Sequence, residues 1–345
     1  MKKYVKTFQE TTEYNTYTAD TTNFVKPNVS YIRESDNVIF NPIDYSKKYL
    51  TFVALESGTF KFSNTAYYSL DDGKTWTSLA ANTNTPTVAA GKRILWKANI
   101  TPQPYVGVGT FSEGTCRFNA EGNPMSLTYG DNFIGQTTLP SSEPFSNFML
   151  LFYGNTQIVK AKNLSLVATM LYEYCYAVMF QNCTSLTTAP KLPATTLASF
   201  CYHHMFNGCT SLTTAPELPA TTLASGCYFE MFYGCTSLTT APELPATTLV
   251  SSCYNSMFQG CTSLTAAPEL LATALTSSCY DYMFSGCTNL NYIKAMFTTT
   301  PSGSYTYNWV KNVASNGTFV KNSAATWTSG CGASTYPCNW TVETA

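Results

Sequence analysis

The sequence predicts a mainly β protein with short helices, in four parts. These are an N-terminal arm (1–47), a β-sandwich domain (48–135), a right-handed solenoid of 26-residue units (136–297) and a C-terminal cap (298–345). Three observations predict it. Cys183, Cys209, Cys235, Cys261 and Cys287 recur at a fixed step of 26 residues. From Tyr49 onward, short runs such as "YLTFVALESGTFKFS" alternate apolar and polar residues between Gly, Asn and Asp turns. Charged residues make up only 11% of the chain against 44% hydrophobic, so uncharged polar side chains must supply most of the surface.

The repeat carries the strongest signal. A period of 20–50 residues marks units that cannot bury an apolar face alone and do so by stacking. Cys175, Cys201, Cys227, Cys253 and Cys279 form a second series on the same step, and Met179, Met205, Met231, Met257 and Met283 a third, each Met followed by Phe. Units fall at about 152–179, 180–205, 206–231, 232–257 and 258–283, with a partial last one. Within a unit, "LTTAPELPA" reads as a short extended segment broken by proline, with Leu212, Ala215 and Leu218 inward. "LASGCYFEMFYGC" reads as a two-turn helix capped by Ser225 and ended by Gly234. Cys227, Met231 and Cys235 then share one face.

Ten of the thirteen cysteines therefore stack in two ladders of small buried side chains. "CYHHMFNGC" (Cys201, His203, His204, Cys209) has the residues of a zinc site, but the other units keep both cysteines without histidine. Packing accounts for the thiols, and the sequence calls for no metal and no cofactor. Cys331 and Cys338 stand outside the ladders, bridged or free.

Positions that vary between copies mark a candidate ligand surface. From the second unit onward they begin with His203, His204, Asn207, Phe229, Glu230 and Tyr233. The later units contribute Asn255, Gln259, Asp281 and Tyr282. Phe229 and Tyr233, four apart on the expected helix, would form a joint aromatic surface. Lys191, Glu217, Glu243 and Glu269 form a charged column on the strand side. At ~5 Å spacing in water, like charges repel by only about 1 kcal/mol per pair, so the column is tolerable.

The first unit is degenerate, with Asn155 at the position of Cys183. At the other end, a short helix at about 304–314 and Trp309, Val313, Phe319 and Trp327 are expected to close the last coil. In the β domain, "SLDDGKTW" matches an Asp-box (Ser69, Asp71, Gly73, Thr75, Trp76), read here as a structural hairpin. Sialidase-like glycosidases carry several such boxes and an arginine triad. This chain has one box and three arginines in all, so an enzyme is the remotest reading and no catalytic residue is assigned.

The net charge of −1 gives no electrostatic basis for nucleic-acid binding. No apolar run has the length of a membrane span. The start, "MKKYVKTFQETTEYNTYTAD", has no apolar core of a secretory signal.

The unit "GCTSLTTAPELPATTLASGCYFEMF" resembles the BspA-like, or Treponema pallidum-type, leucine-rich repeats. In these a Cys-x-x-Leu opens the unit, an Ile-Pro-like strand follows and an Ala-Phe-x-x-Cys helix closes it. Met-Phe stands here for Ala-Phe, and the resemblance covers roughly residues 148–297. It implies a leucine-rich-repeat solenoid and a binding or adhesion scaffold. The order of arm, β domain, Cys-rich repeats and Trp-rich cap resembles virion proteins of tailed phages of gut bacteria. The expectation is therefore a non-enzymatic head fibre or capsid decoration. Its arm would dock on the capsid or another virion protein, and its repeats on host-surface or mucus glycan or protein. A homo-oligomer, with a trimer favoured, belongs to that expectation, and buried thiols suit assembly in a reducing cytoplasm. The alternative is a BspA-like adhesin on a bacterial surface.

Overall fold

The computed structural model describes residues 43–140, 147–327 and 330–345, with the backbone of three short strands nearer the start. Of these, β1 (Lys6–Phe8) pairs parallel with β2 (Tyr31–Arg33), which pairs antiparallel with β3 (Ile39–Phe40). The rest of the arm up to residue 42, and its anchoring role, lie outside the described residues.

The protein is mainly β. The alternation of Leu50, Phe52 and Ala54 builds β4 (Leu50–Ala54) with these three side chains buried. It lies inside a six-stranded sheet that also holds β6 (Ala66–Ser69), β7 (Thr77–Leu79), β8 (Arg93–Lys97), β10 (Phe118–Gly122) and β11 (Ile158–Leu164), in the order β11-β10-β4-β8-β6-β7. A two-stranded ribbon pairs β5 (Phe60–Lys61) with β9 (Glu113–Gly114). The two-sheet sandwich expected over 48–135 is thus one mixed sheet and a ribbon. The apolar face is covered differently: Phe52 packs against Phe111 at 4.8 Å and against Phe152 of the first repeat at 5.9 Å.

The edge strand β11 belongs to that first repeat and pairs parallel with β10. From it a parallel ladder continues through single bridges, Lys160↔Thr188, Thr188↔Thr214 and Thr214↔Thr240. Prolines at 190, 193, 216 and 219 keep these from widening into strands, because proline has no N–H to give. Leu271 stands where the preceding units have Pro245 and Pro219. There the ladder widens: Leu270 bridges to Ala295, and β12 (Tyr292–Ala295) pairs parallel with β13 (Thr318–Lys321), which pairs with β14 (Thr341–Thr344).

The other leg of each unit is not the expected helix. Phe200, His204 and Gly208 have φ of 51°, 54° and 73°, which no right-handed helix admits. Alternate N–H groups close turns onto the residue three back, as Met205 to Tyr202 and Cys209 to Phe206. The ones between donate to the next unit: Tyr202 to the Cys227 carbonyl, His204 to Phe229, Phe206 to Met231. The stacking of units, not local propensity, sets this backbone. The described residues hold one short α-helix, α1 (Ser126–Tyr129), and two 3₁₀ turns.

The repeat columns form the core. Phe62, Phe111, Phe152, Phe180, Phe206, Phe232, Phe258 and Phe284 stack in succession, the last against Trp309. A parallel column runs Phe148, Tyr176, Tyr202, Tyr228, Tyr254, Tyr280, again ending on Trp309. Stacked aromatic pairs contribute roughly 0.5–1.5 kcal/mol each beyond their burial. The thiols do more than fill space. Cys183, Cys209, Cys235, Cys261 and Cys287 each donate to the carbonyl of a Phe in the preceding unit, at 3.0 to 3.1 Å. Asn155, in the degenerate unit, donates instead to the Phe111 carbonyl.

Residues 298–345 continue this stack rather than lying over its end. The expected helix at 304–314 is another turn run, with Asn308 and Asn312 at φ 52° and 58°. Trp309 and Phe319 are fully buried, Val313 packs against the core and Trp327 stacks on Phe297 at 5.1 Å. Cys331 and Cys338 form a disulfide. The loop it closes receives bonds that a further unit would otherwise take. Val310 N–H donates to Ala333, the Trp309 indole to Thr335 and Thr306 Oγ1 to Ser334.

Candidate functional site

Three places bear on function: the turn face, the strand-side groove and the Asp-box. On the turn face the stacking of units draws the variable residues together and partly buries them. The His203 and His204 rings stack at 3.8 Å, and Phe229 lies 5.2 Å from His203 and 5.8 Å from His204. Phe200 and Tyr174 extend the cluster, stacked on each other at 5.2 Å. The ring of Phe200 rests against Gly226, where a Cβ would collide with it. This cluster spans three units and was not legible from positions read one unit at a time. Its signal is complementary: a large residue at Phe200 and none at Gly226, one unit on.

Glu230 organises the polar side. Its carboxylate accepts from Asn207 Nδ2 at 3.1 Å and lies 3.0 Å from His204 Nε2, the latter contact lacking hydrogen-bond alignment. Burial, with the His204 ring beside it, pushes the His203 pKa down to about 4. Tyr233 stays exposed and makes no ring contact with Phe229, so the joint surface expected of these two does not form. Asn255 accepts from Ser256 Oγ, Gln259 is half-buried, Asp281 accepts from the Tyr307 N–H at 2.7 Å, and Tyr282 meets Tyr307 edge-on.

Cys201 and Cys209 are fully buried, while the two imidazoles lie half-exposed. Among the described residues no three His, Cys, Asp or Glu side chains converge as a metal site. Burial pushes the thiol pKa up at Cys175 to about 12 and at Cys279 to about 11, and upward at the other ladder positions. Thiols held so firmly protonated are poor nucleophiles.

On the strand side a groove of ≈ 570 Å³ is walled by Pro190, Pro193, Pro216 and Pro219, with Lys162, Lys191 and Glu217 at its rim. Glu243 is exposed one unit on, and Glu269 pairs with Lys294 at 2.8 Å, which raises the lysine pKa.

The Asp-box forms the β6–β7 turn. Asp71 accepts from the Thr75 N–H at 2.9 Å, from Thr75 Oγ1 at 2.7 Å and from Ser69 Oγ at 2.7 Å. These bonds hold its pKa down at about 2. Gly73 supplies φ 85°, and Trp76 lies under the Lys97 ammonium at 4.3 Å. The side-chain oxygens of Ser69, Asp71 and Thr75 thus serve the turn itself.

No helix of the described residues is long and apolar enough to cross a membrane. No protein-family model, curated protein or solved structure matches this chain.

Proposed function

We propose that the chain is a non-enzymatic attachment protein, a BspA-like leucine-rich-repeat solenoid carried on the virion of a tailed phage. The N-terminal arm docks on the capsid or another virion protein, and the repeats present a surface to host-cell or mucus glycan or protein. The observation that carries this reading is the unbroken Phe column from Phe62 to Trp309. It ties the N-terminal sheet to every repeat as one packed body, whose outer positions change from unit to unit more than its core columns do. Such a body holds many weak contacts in fixed spacing, which suits multivalent attachment.

A second reading, a BspA-like adhesin on a bacterial surface, draws support from the solvent-facing Cys331–Cys338 disulfide, since such bonds persist in oxidising surroundings. Peptide mass spectrometry on purified phage particles and on washed cell envelopes separates the two. Stoichiometric recovery from particles is expected; recovery from envelopes alone rejects the virion reading and favours the adhesin.

A further inference from the structure

The last three strand openings depart from the repeat. Earlier units enter the strand leg through Thr213–Thr214 and Thr239–Thr240. The final coils enter it through Asn291–Tyr292, Asn316–Gly317–Thr318 and Asn339–Trp340–Thr341. The parallel register sets Tyr292 beside Thr318 and Thr318 beside Thr341. Asn316 and Asn339 therefore fall at neighbouring positions, two residues before the paired threonines.

The three asparagines, Tyr292, Gly317, Thr318 and Thr341 line a shallow, open groove of ≈ 520 Å³. The amides of Asn291, Asn316 and Asn339 have no hydrogen-bond partner among the described residues. Tyr292 keeps 39% of its surface exposed. Gly317 belongs to the construction: a Cβ there would collide with the Asn291 carbonyl, so only glycine lets β13 approach β12 this closely. Asn339 directly follows Cys338, so the disulfide-closed loop fixes where the third amide stands.

We propose that this groove binds an uncharged oligosaccharide. This rests on the attachment reading above and names the place and class of its ligand. The lining holds no carboxylate, amine, guanidinium or imidazole, so nothing there compensates a phosphate, sulfate or carboxylate. Asn316 and Asn339 offer donors and acceptors at neighbouring positions, with Asn291 one residue out of step on the same groove, a set that can meet several sugar hydroxyls. The tyrosine ring offers an apolar face to a sugar's C–H groups. A peptide would need pockets for alternate side chains, and the lining provides one aromatic face and no apolar pocket.

The test uses the full chain on an array of neutral oligosaccharides printed beside sialylated and sulfated versions of the same cores. Binding to at least one neutral core is expected, with at least a tenfold loss in Asn316→Ala/Asn339→Ala and in Tyr292→Ser. Both variants must retain the wild-type unfolding midpoint. Glu217→Gln, on the other groove, should bind as wild type. Reduction of the disulfide should weaken binding as the Asn variants do. Neutral binding that survives the Asn and Tyr variants overturns the groove while leaving attachment intact. Binding confined to charged glycans, or attachment to host cells without any array signal, also overturns it. Failure of the full chain to attach to host cells and to the array alike rejects the attachment reading together with the groove.

Discussion

The thiol of Cys235 donates a hydrogen bond to the carbonyl of Phe206, 29 residues earlier, at 3.1 Å. Cys227, in the other ladder, is equally buried and makes no comparable bond. The two positions therefore separate packing from hydrogen bonding. Cys235→Ala should destabilise the stack more than Cys227→Ala by about 0.5–1.5 kcal/mol, because it removes one of the two hydrogen bonds that the Phe206 carbonyl accepts, the other coming from the Cys209 N–H. Urea unfolding of the two variants measures the difference, and equal losses would show that the thiols act as fillers alone.

Gly226 and Phe200 depend on each other. Gly226→Ala should destabilise by about 1–3 kcal/mol, since the backbone has φ 58° and the new methyl meets the ring. In a Phe200→Ala background the steric part should vanish. A double-mutant cycle read by thermal unfolding should show strong non-additivity; additive effects would place the whole penalty in the backbone.

His203 gives the protein an acid-sensitive component. It stays neutral in the fold down to about pH 4, whereas the unfolded chain takes up the proton near 6.5. The unfolded state thus binds more protons between these values, so stability is full above 6.5 and falls as the pH drops toward 4. His204 and Glu230 face the same ring. His203→Gln should flatten the fall by on the order of 1 kcal/mol, discounted for partial exposure. Denaturant midpoints at pH 7 and pH 4.5 provide the comparison.

The Cys331–Cys338 bridge closes a short loop, and the chain-entropy relation assigns such a loop about 2–3 kcal/mol. Mild reduction of the native protein should expose two thiols to alkylation while the eleven buried cysteines stay unlabelled. Amide exchange should rise at Val310, whose N–H donates to the Ala333 carbonyl of this loop, and along β14, which follows it. Labelling of ladder thiols under the same conditions would mean that the stack opens beyond its last coil.

Much of this architecture is legible in the sequence because the 26-residue step is written in side chains that must stack to be buried. The turn run is not. Its positive φ recurs every fourth residue, so Cys227, Met231 and Cys235 fall on one face just as they would on a helix. A periodicity of four cannot distinguish the two, and the deciding hydrogen bonds run to the neighbouring unit. The merger of the N-terminal sheet with the first repeat was hidden for a similar reason. The β10–β11 pairing joins residues about forty apart, across a stretch whose pattern belongs to neither. Within the candidate sites, variation between copies pointed to His203, His204 and Phe229. It could not reveal the three asparagines of the final coils, which fall outside the regular repeat.

The bonds that join one unit to the next also decide how the protein bears force. A pull applied at the two ends of the stack loads the inter-unit hydrogen bonds and ring contacts in series, so the weakest junction yields first and its neighbours follow singly. Each released unit would pay out ~85 Å of extended chain while the remainder kept its ladders. A stack of this construction lengthens in steps under load instead of giving way at once.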